Sequence, residues 1–358
     1  MIKLINEIKK LPNGISLDKF IEICLFNEEG YYNNANPIGK NGDFITAPEV
    51  SQLFGEILGL YIYNIWEKNF GKKINLIELG PGKGTLISDI LRITKSFTSF
   101  NDKINIKLIE INNHLKKLQI KSIMNSHFDI RNVQWHNNFE MINPIPSIIY
   151  GNEFFDCLPI KQYIKINKSW NEKKIFFSQK NNKLLIKNSI IRNFNIINNL
   201  NLYAKKYGYK NDQIIEISNA RKKYYDKLCK FIKTNSGIII IFDYGYENSI
   251  HYSTLQSIKN HKHTHILDDP GKQDITSLVN FRQLKEIAIK NNLYISNYSS
   301  QKKFLISNGI IERKNKILLN CSIQQKQDIE KGFKRLTSND KMGKLFKCLI
   351  VSSNKFDE

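Results

Sequence analysis

The chain has 358 residues, 41% of them hydrophobic, enough to bury a substantial core as one large domain with an insertion or as two modest domains. Its formal net charge of +21 invites a polyanionic partner, yet lysine is interspersed with asparagine and isoleucine along the whole length and no compact block of like charges forms a tail. That spread favours a diffuse basic surface over a dedicated nucleic-acid face. The five cysteines, Cys24, Cys157, Cys229, Cys321 and Cys348, are far apart and form no C-x-x-C pair, which argues for reduced thiols and against a zinc site or a disulfide scaffold. No apolar run reaches the roughly 18 residues of a membrane span. The N-terminus lacks the apolar core of a secretory signal, and no arginine precedes Arg92, against a mitochondrial-type presequence.

Taken in order, residues 1–35 read as helical. Ile5, Ile8, Leu11, Leu17, Phe20, Ile21 and Leu25 recur near helical spacing, with Pro12-Asn13-Gly14 as a break and Ser16 as a candidate cap. The turn formers from Asn36 to Phe44 precede a helix predicted to open at Thr46 with a capping box, Thr46 as N-cap and Glu49 three residues on. Val50, Leu53, Phe54, Ile57, Leu58, Tyr61 and Trp66 form its apolar face.

After Gly71 an α/β alternation begins. Strands are predicted at 74–79, 104–110, 132–135, 147–150 and 237–242, the last apolar enough to be buried on both faces. Between the fourth and fifth strands lies an interruption with short β-like runs over 162–186 and a helical pattern over 203–232. A helix near 279–291 and two late strands, 294–298 and 345–351, follow. A five-strand parallel core with two late strands fits an α/β, Rossmann-like, seven-stranded sheet of the kind found in class I methyltransferases, with its last strand inserted antiparallel. The expected segments are 1–70 as an N-terminal helical lid, 71–160 as the first part of the cofactor domain, 161–235 as an inserted substrate-side region and 236–358 as the remainder.

The stretch Leu79-Gly80-Pro81-Gly82-Lys83-Gly84-Thr85 is an apolar strand running into a glycine turn and a helix, the nucleotide-facing corner of a doubly wound sheet. A phosphate loop needs G-x-x-x-x-G-K-[ST], whereas Gly84 follows Lys83 here. The dinucleotide fingerprint G-x-G-x-x-G fails at Thr85. G-x-G-x-G favours S-adenosylmethionine (SAM), with Gly80, Gly82 and Gly84 letting the backbone approach the cofactor. Glu78 is placed for the cofactor's amino group and Glu110 for both ribose hydroxyls, although about 30 residues separate the loop from Glu110, against the usual ~20. Thr85 and Asn152 complete the cofactor-side set. Asn152, Glu153 and Asp156 follow the fourth strand, at the sheet edge where a methyl acceptor would lie. The sequence there is Asn-Glu-Phe-Phe and not the [DN]-P-P-[FY] of amino-methyltransferases acting on bases, which lowers a nucleic-acid substrate. His261, His263 and His265 alternate but lack a carboxylate or cysteine at a metal-ligand spacing, so no metal is expected.

Gly30-Tyr31-Tyr32, residues 37–56, 78–86 and 152–159 closely resemble the MidA-like methyltransferase family. The likeness continues through Asp243-Tyr244-Gly245, Thr254-Leu255-Gln256, residues 270–276, Phe304-Leu305 with Gly309-Ile310, and 342–347, nearly the whole chain. Asn280 stands where family members commonly have Asp. Mitochondrial members of this family are assembly factors for respiratory complex I. The resemblance implies a SAM-dependent protein arginine methyltransferase giving symmetric dimethylarginine, with a complex I or NADH dehydrogenase subunit as substrate. On that reading Glu153 grips the guanidinium, helped by Asp43 or Glu49 from the N-terminal lid segment, whose loop 39–46 folds over the cofactor, and Asn152 assists. The expected partner is an arginine-containing protein, with nucleic acid disfavoured and a homodimer open. The expected location is the bacterial cytoplasm, or the mitochondrial matrix in a eukaryote. The competing readings are a non-catalytic assembly chaperone and, behind it, a nucleic-acid methyltransferase.

Overall fold

The computed structural model describes residues 2–34, 42–43 and 45–356. The chain divides into two compact units, one made of Ile38–Phe154, Tyr225–Gly245 and Gln283–Glu358, the other of Met1–Pro37, Phe155–Tyr224 and Tyr246–Arg282. This differs from the four consecutive segments expected. The N-terminal stretch clusters with the insertion because Ile15 and Ser16 pair antiparallel with Ile175 and Lys174.

The first unit holds β1 (Ile74–Leu79), β2 (Ile104–Ile109), β3 (Val133–His136), β4 (Ser147–Asn152), β5 (Gly237–Tyr246), β6 (Tyr294–Ser300) and β7 (Phe346–Ser352). The main path of its sheet runs β6-β7-β5-β4-β1-β2-β3. Strands β1 to β5 pair in parallel, and β7 is antiparallel to both neighbours, as the two late strands predict. Every residue of β1 and β4 is buried, including the polar Asn75, Glu78, Ser147 and Asn152 among their apolar residues. The registers Leu79↔Ile109, Leu79↔Gly151, Ile109↔His136 and Phe242↔Asn152 bring the carboxyl ends of five strands to one edge.

Helices α1 (Gln52–Asn69), α2 (Thr85–Thr94) and α3 (Asn113–Asn125) belong to this unit. Phe54 of α1 is fully buried and meets Phe242 of β5 edge-on at 5.0 Å. Burial of a side chain this size contributes roughly 1.5–3 kcal/mol. The capping box expected at Thr46 does not form: Thr46 makes no side-chain cap, and Ala47–Val50 is a single short turn. The chain straightens at Ser51 (φ −164°, ψ 135°), whose Oγ accepts from Leu53 N at 3.3 Å and starts α1 afresh. Glu49 is thereby released from capping duty.

In the second unit, strands Lys161–Ile166, Ser169–Ser178, Lys183–Ile190 and Ile214–Ile217 form one sheet with Ile15–Ser16. Helix Phe194–Tyr207 lays Leu200 against Tyr163, Trp170 and Ile215 of that sheet. The single helical stretch expected over 203–232 is instead two helices, Phe194–Tyr207 and Asn219–Asn235, separated by Ile214–Ile217. Gly208 takes a left-handed φ of 74° and stops the first of them. Gln256–Lys259, Lys262–Thr264 and Asp274–Thr276 form a small antiparallel sheet, and Asn260 (φ 49°) with His261 (φ 60°) makes its hairpin turn. Arg221, buried, donates to the carbonyls of Phe155 (2.6 Å), Asp156 (2.7 Å), Ser277 (3.0 Å) and Leu278 (2.9 Å). It stitches the segment after β4 to the end of the small sheet. Among the described residues, no helix is long and apolar enough to cross a membrane, and no group of three His, Cys, Asp or Glu side chains could hold a metal ion.

Candidate active site

The turn after β1 has the conformation its glycines allow. Gly80, Gly82 and Gly84 have φ of 62°, 54° and 78°, and the turn closes by Gly84 N donating to Pro81 O at 2.8 Å. A Cβ on Gly80 would come 3.0 Å from the Phe154 ring, and one on Gly84 would come 3.0 Å from Gln119 Cα. Both positions therefore favour glycine by φ, and a Cβ at either would press on a close neighbour, backbone in the case of Gly84. Thr85 opens α2, and its Oγ1 donates to Glu49 Oε1, tying the Ala47–Val50 turn to the start of that helix.

Glu78 lies beside Tyr150 in the β1–β4 register, and Tyr150 Oη donates to Glu78 Oε2 at 3.0 Å. Burial pushes the Glu78 carboxyl up to about 8, the Glu110 charge adding to the rise and the Tyr150 bond opposing it. At neutral pH this carboxyl therefore carries a proton. Glu110, just past β2, accepts from Asn112 N at 2.8 Å and from Gln119 Nε2 at 3.1 Å. Burial raises its carboxyl as well, with these two donors working against the rise. Gln119 was not anticipated; the signal was Leu115, Gln119 and Ile123 at four-residue intervals on the buried face of α3.

At the end of β4, Asn152 Nδ2 donates to Glu153 Oε1 at 2.9 Å, and Ala47 N donates to the same oxygen at 3.2 Å. Glu153 holds a left-handed φ of 53°, rare for a residue with a side chain, while its N–H donates to Phe242 O at 2.9 Å. Asn152 Oδ1 is buried and accepts no hydrogen bond among the described residues. Asp43 is half-buried in a bend before Ala47–Val50. Gly39, Lys40, Asn41 and Phe44 of the expected lid lie outside the described residues. All the residues assigned from sequence to the cofactor and catalytic sets fall in the first unit. Asp156, Asp274, Thr276 and His261 fall in the second, where Asp274 Oδ1 accepts from Tyr32 Oη at 2.8 Å.

Residues 57–299, more than half of the chain, match a protein family described as "Putative S-adenosyl-L-methionine-dependent methyltransferase". The chain belongs to this methyltransferase family. A superfamily member from Burkholderia thailandensis, solved bound to S-adenosyl-homocysteine, superposes with a TM-score of 0.84 at 20% identity, covering 98% of this chain and 91% of that one. The protein arginine methyltransferase NDUFAF7 of Xenopus laevis mitochondria is 28% identical over 96% of this chain and 82% of its own length. Its human counterpart is 27% identical over 94% and 80%. The residues present suit the family's cofactor: a glycine cradle that a Cβ would fill, two buried carboxyls at adjacent strand ends, and an orphaned buried amide oxygen nearby along the same sheet edge.

Proposed function

We propose that this methyltransferase acts on arginine in a protein, with Asn152 and Glu153 as the acceptor side. The observation that carries the reading is the geometry at the end of β4: a carboxylate braced by Asn152 Nδ2 and Ala47 N, next to a buried amide oxygen without a donor among the described residues. A left-handed non-glycine residue costs on the order of 1–3 kcal/mol, so the fold spends stability to aim Glu153. Together the two side chains offer adjacent acceptors for guanidinium N–H groups. Guanidinium has a pKa above ~12 and a delocalised lone pair, so a carboxylate that concentrates its charge on two nitrogens leaves the third better able to attack.

On this reading Glu78 takes the cofactor's amino group, Glu110 the ribose hydroxyls, and Gly80, Gly82, Gly84 and Thr85 form the wall between them. When bound, SAM supplies a methyl group on a sulfonium, open to in-line displacement. The chain's own task is alignment, worth effective molarities of ~10⁵–10⁸ M when geometry is right. Glu49, engaged by Thr85, contributes through the glycine turn, and Asp43 supplies a second carboxylate for the guanidinium.

The names of the NDUFAF7 relatives support arginine as acceptor. We extend the proposal to symmetric dimethylation of an NADH dehydrogenase subunit during its assembly, in the bacterial cytoplasm or the mitochondrial matrix. Incubating the protein with methyl-labelled SAM and a cell extract tests the acceptor class. Label is expected in protease-sensitive, nuclease-resistant material. Label that nuclease removes would overturn the reading, and tight cofactor binding with no transfer would point to a non-catalytic assembly role.

A further inference from the structure

We infer that Gln119 is a positioning residue for the cofactor site, acting through Glu110 and the glycine turn; this rests on the assignment of Glu110 to the ribose hydroxyls. The side chain is fully buried and its amide joins three segments that are distant in sequence. Nε2 donates to Gly82 O at 2.7 Å and to Glu110 Oε2 at 3.1 Å, while Oε1 accepts from Trp135 Nε1 at 2.7 Å. An amide NH₂ has two protons, so both donations are made at once, and an indole N–H can only donate, which fixes the way round of the amide. Turned over, the carbonyl would face two acceptors and the NH₂ would face a donor. The backbone of α3 is seated on the same turn, since a Cβ on Gly84 would lie 3.0 Å from Gln119 Cα.

The consequence for Glu110 is specific. One carboxylate oxygen is fixed by Asn112 N and the other by Gln119, so the plane of the carboxylate is set before any ligand arrives. The same NH₂ group holds the Gly82 carbonyl, so a single side chain ties the turn after β1 to the acid after β2. Preorganised acceptors spare a ligand the cost of ordering them.

Gln119→Glu is the discriminating substitution. It keeps the shape and the acceptor for Trp135, but sets an oxygen against Gly82 O and Glu110 Oε2. Ionised, that oxygen repels both; protonated, it can donate to one of them. Calorimetric titration with S-adenosyl-homocysteine should show the variant weaker than wild type by about 10–100-fold near pH 8, the size expected when a hydrogen bond to a charged group is lost. The ratio of the two dissociation constants should shrink toward one near pH 5.5. Equal affinity at both pH values would overturn the inference, since a packing role would not distinguish Gln from Glu. In a second arm, the affinity cost of Gln119→Leu should diminish in a Glu110→Gln background that itself binds weakly. A full, additive cost there would overturn the inference alone. Wild-type affinity in Glu110→Gln would overturn the ribose assignment as well. If Gln119→Leu does not fold, the pH comparison with Gln119→Glu still decides.

Discussion

Glu78→Gln replaces a carboxyl that the fold holds protonated with an isostere that never ionises. Burial and the neighbouring Glu110 raise this carboxyl from 4.5 to about 8, so between those values the folded chain keeps a proton that the unfolded chain has released. Its contribution to stability is thus fully present below about pH 4.5 and is lost as pH rises through about 8. At about 1.36 kcal/mol per pH unit, the interval sets an upper bound on the order of 5 kcal/mol. Urea unfolding of both proteins near pH 5 and near pH 8 reads this directly: wild type should lose several kcal/mol relative to Glu78→Gln between the two conditions. Binding is linked to the same proton. Because the carboxyl is raised to about 8, docking the ammonium of S-adenosyl-homocysteine near neutral pH should expel a proton, and that release should diminish as pH rises past about 8. Calorimetry in buffers of different ionisation enthalpy measures that release, and Glu78→Gln should show none and bind more weakly. Parallel pH dependence of stability in the two proteins, with no buffer-dependent heat in wild type, would refute the placement of this carboxyl opposite the amino group.

Glu153→Gln should lower kcat by at least ~100-fold while leaving the dissociation constant for S-adenosyl-homocysteine within about threefold of wild type; full turnover would remove Glu153 from the acceptor side. Gly84→Ala, at φ 78° and with its Cβ 3.0 Å from Gln119 Cα, should lose ~1–3 kcal/mol in urea unfolding and bind S-adenosyl-homocysteine more weakly. Gly71→Ala, at φ 58° but with no atom within 4 Å of the new Cβ, should show the backbone cost alone and bind normally. Arg221→Leu deletes a buried guanidinium that donates to four backbone carbonyls, and a loss of ~3–5 kcal/mol is expected from the shift of the urea midpoint; a loss under about 1 kcal/mol would mean that those carbonyls find other donors.

The sheet was legible where physics makes the pattern unambiguous. Strands β1, β4 and β5 are buried on both faces and are mostly apolar, with polar residues such as Glu78, Asn152 and Asp243 toward their carboxyl ends, so their places and the late antiparallel insertion could be read directly. The insertion was legible only as short β-like runs and one helical stretch: Ser169–Ser178 and Lys183–Ile190 carry lysine on half-exposed or exposed faces, which blurs the strand ends, and the apolar spacing around Tyr203 continues past Gly208, whose left-handed φ is what ends the helix. At the site, Glu78, Glu110, Asn152 and Glu153 could be placed at strand ends, since strand ends follow from strands. Their partnerships could not. Glu49 suits a capping box by local spacing, yet its carboxylate is bonded to Thr85, across the tertiary fold. Nothing in Asn-Glu-Phe-Phe announces that Glu153 would be held at φ 53°. Gln119 left only the trace of one polar residue in a buried helical stripe.

The central claim is that the Asn152–Glu153 edge presents an arginine to the methyl donor. Its most direct test is acid hydrolysis and mass spectrometry of protein labelled by wild type and by Glu153→Gln, each with methyl-labelled SAM and the same extract. The account predicts symmetric dimethylarginine in the wild-type sample and almost none with the variant. Label on lysine, on a carboxyl group or on nucleotides, or equal arginine labelling by both proteins, would contradict it.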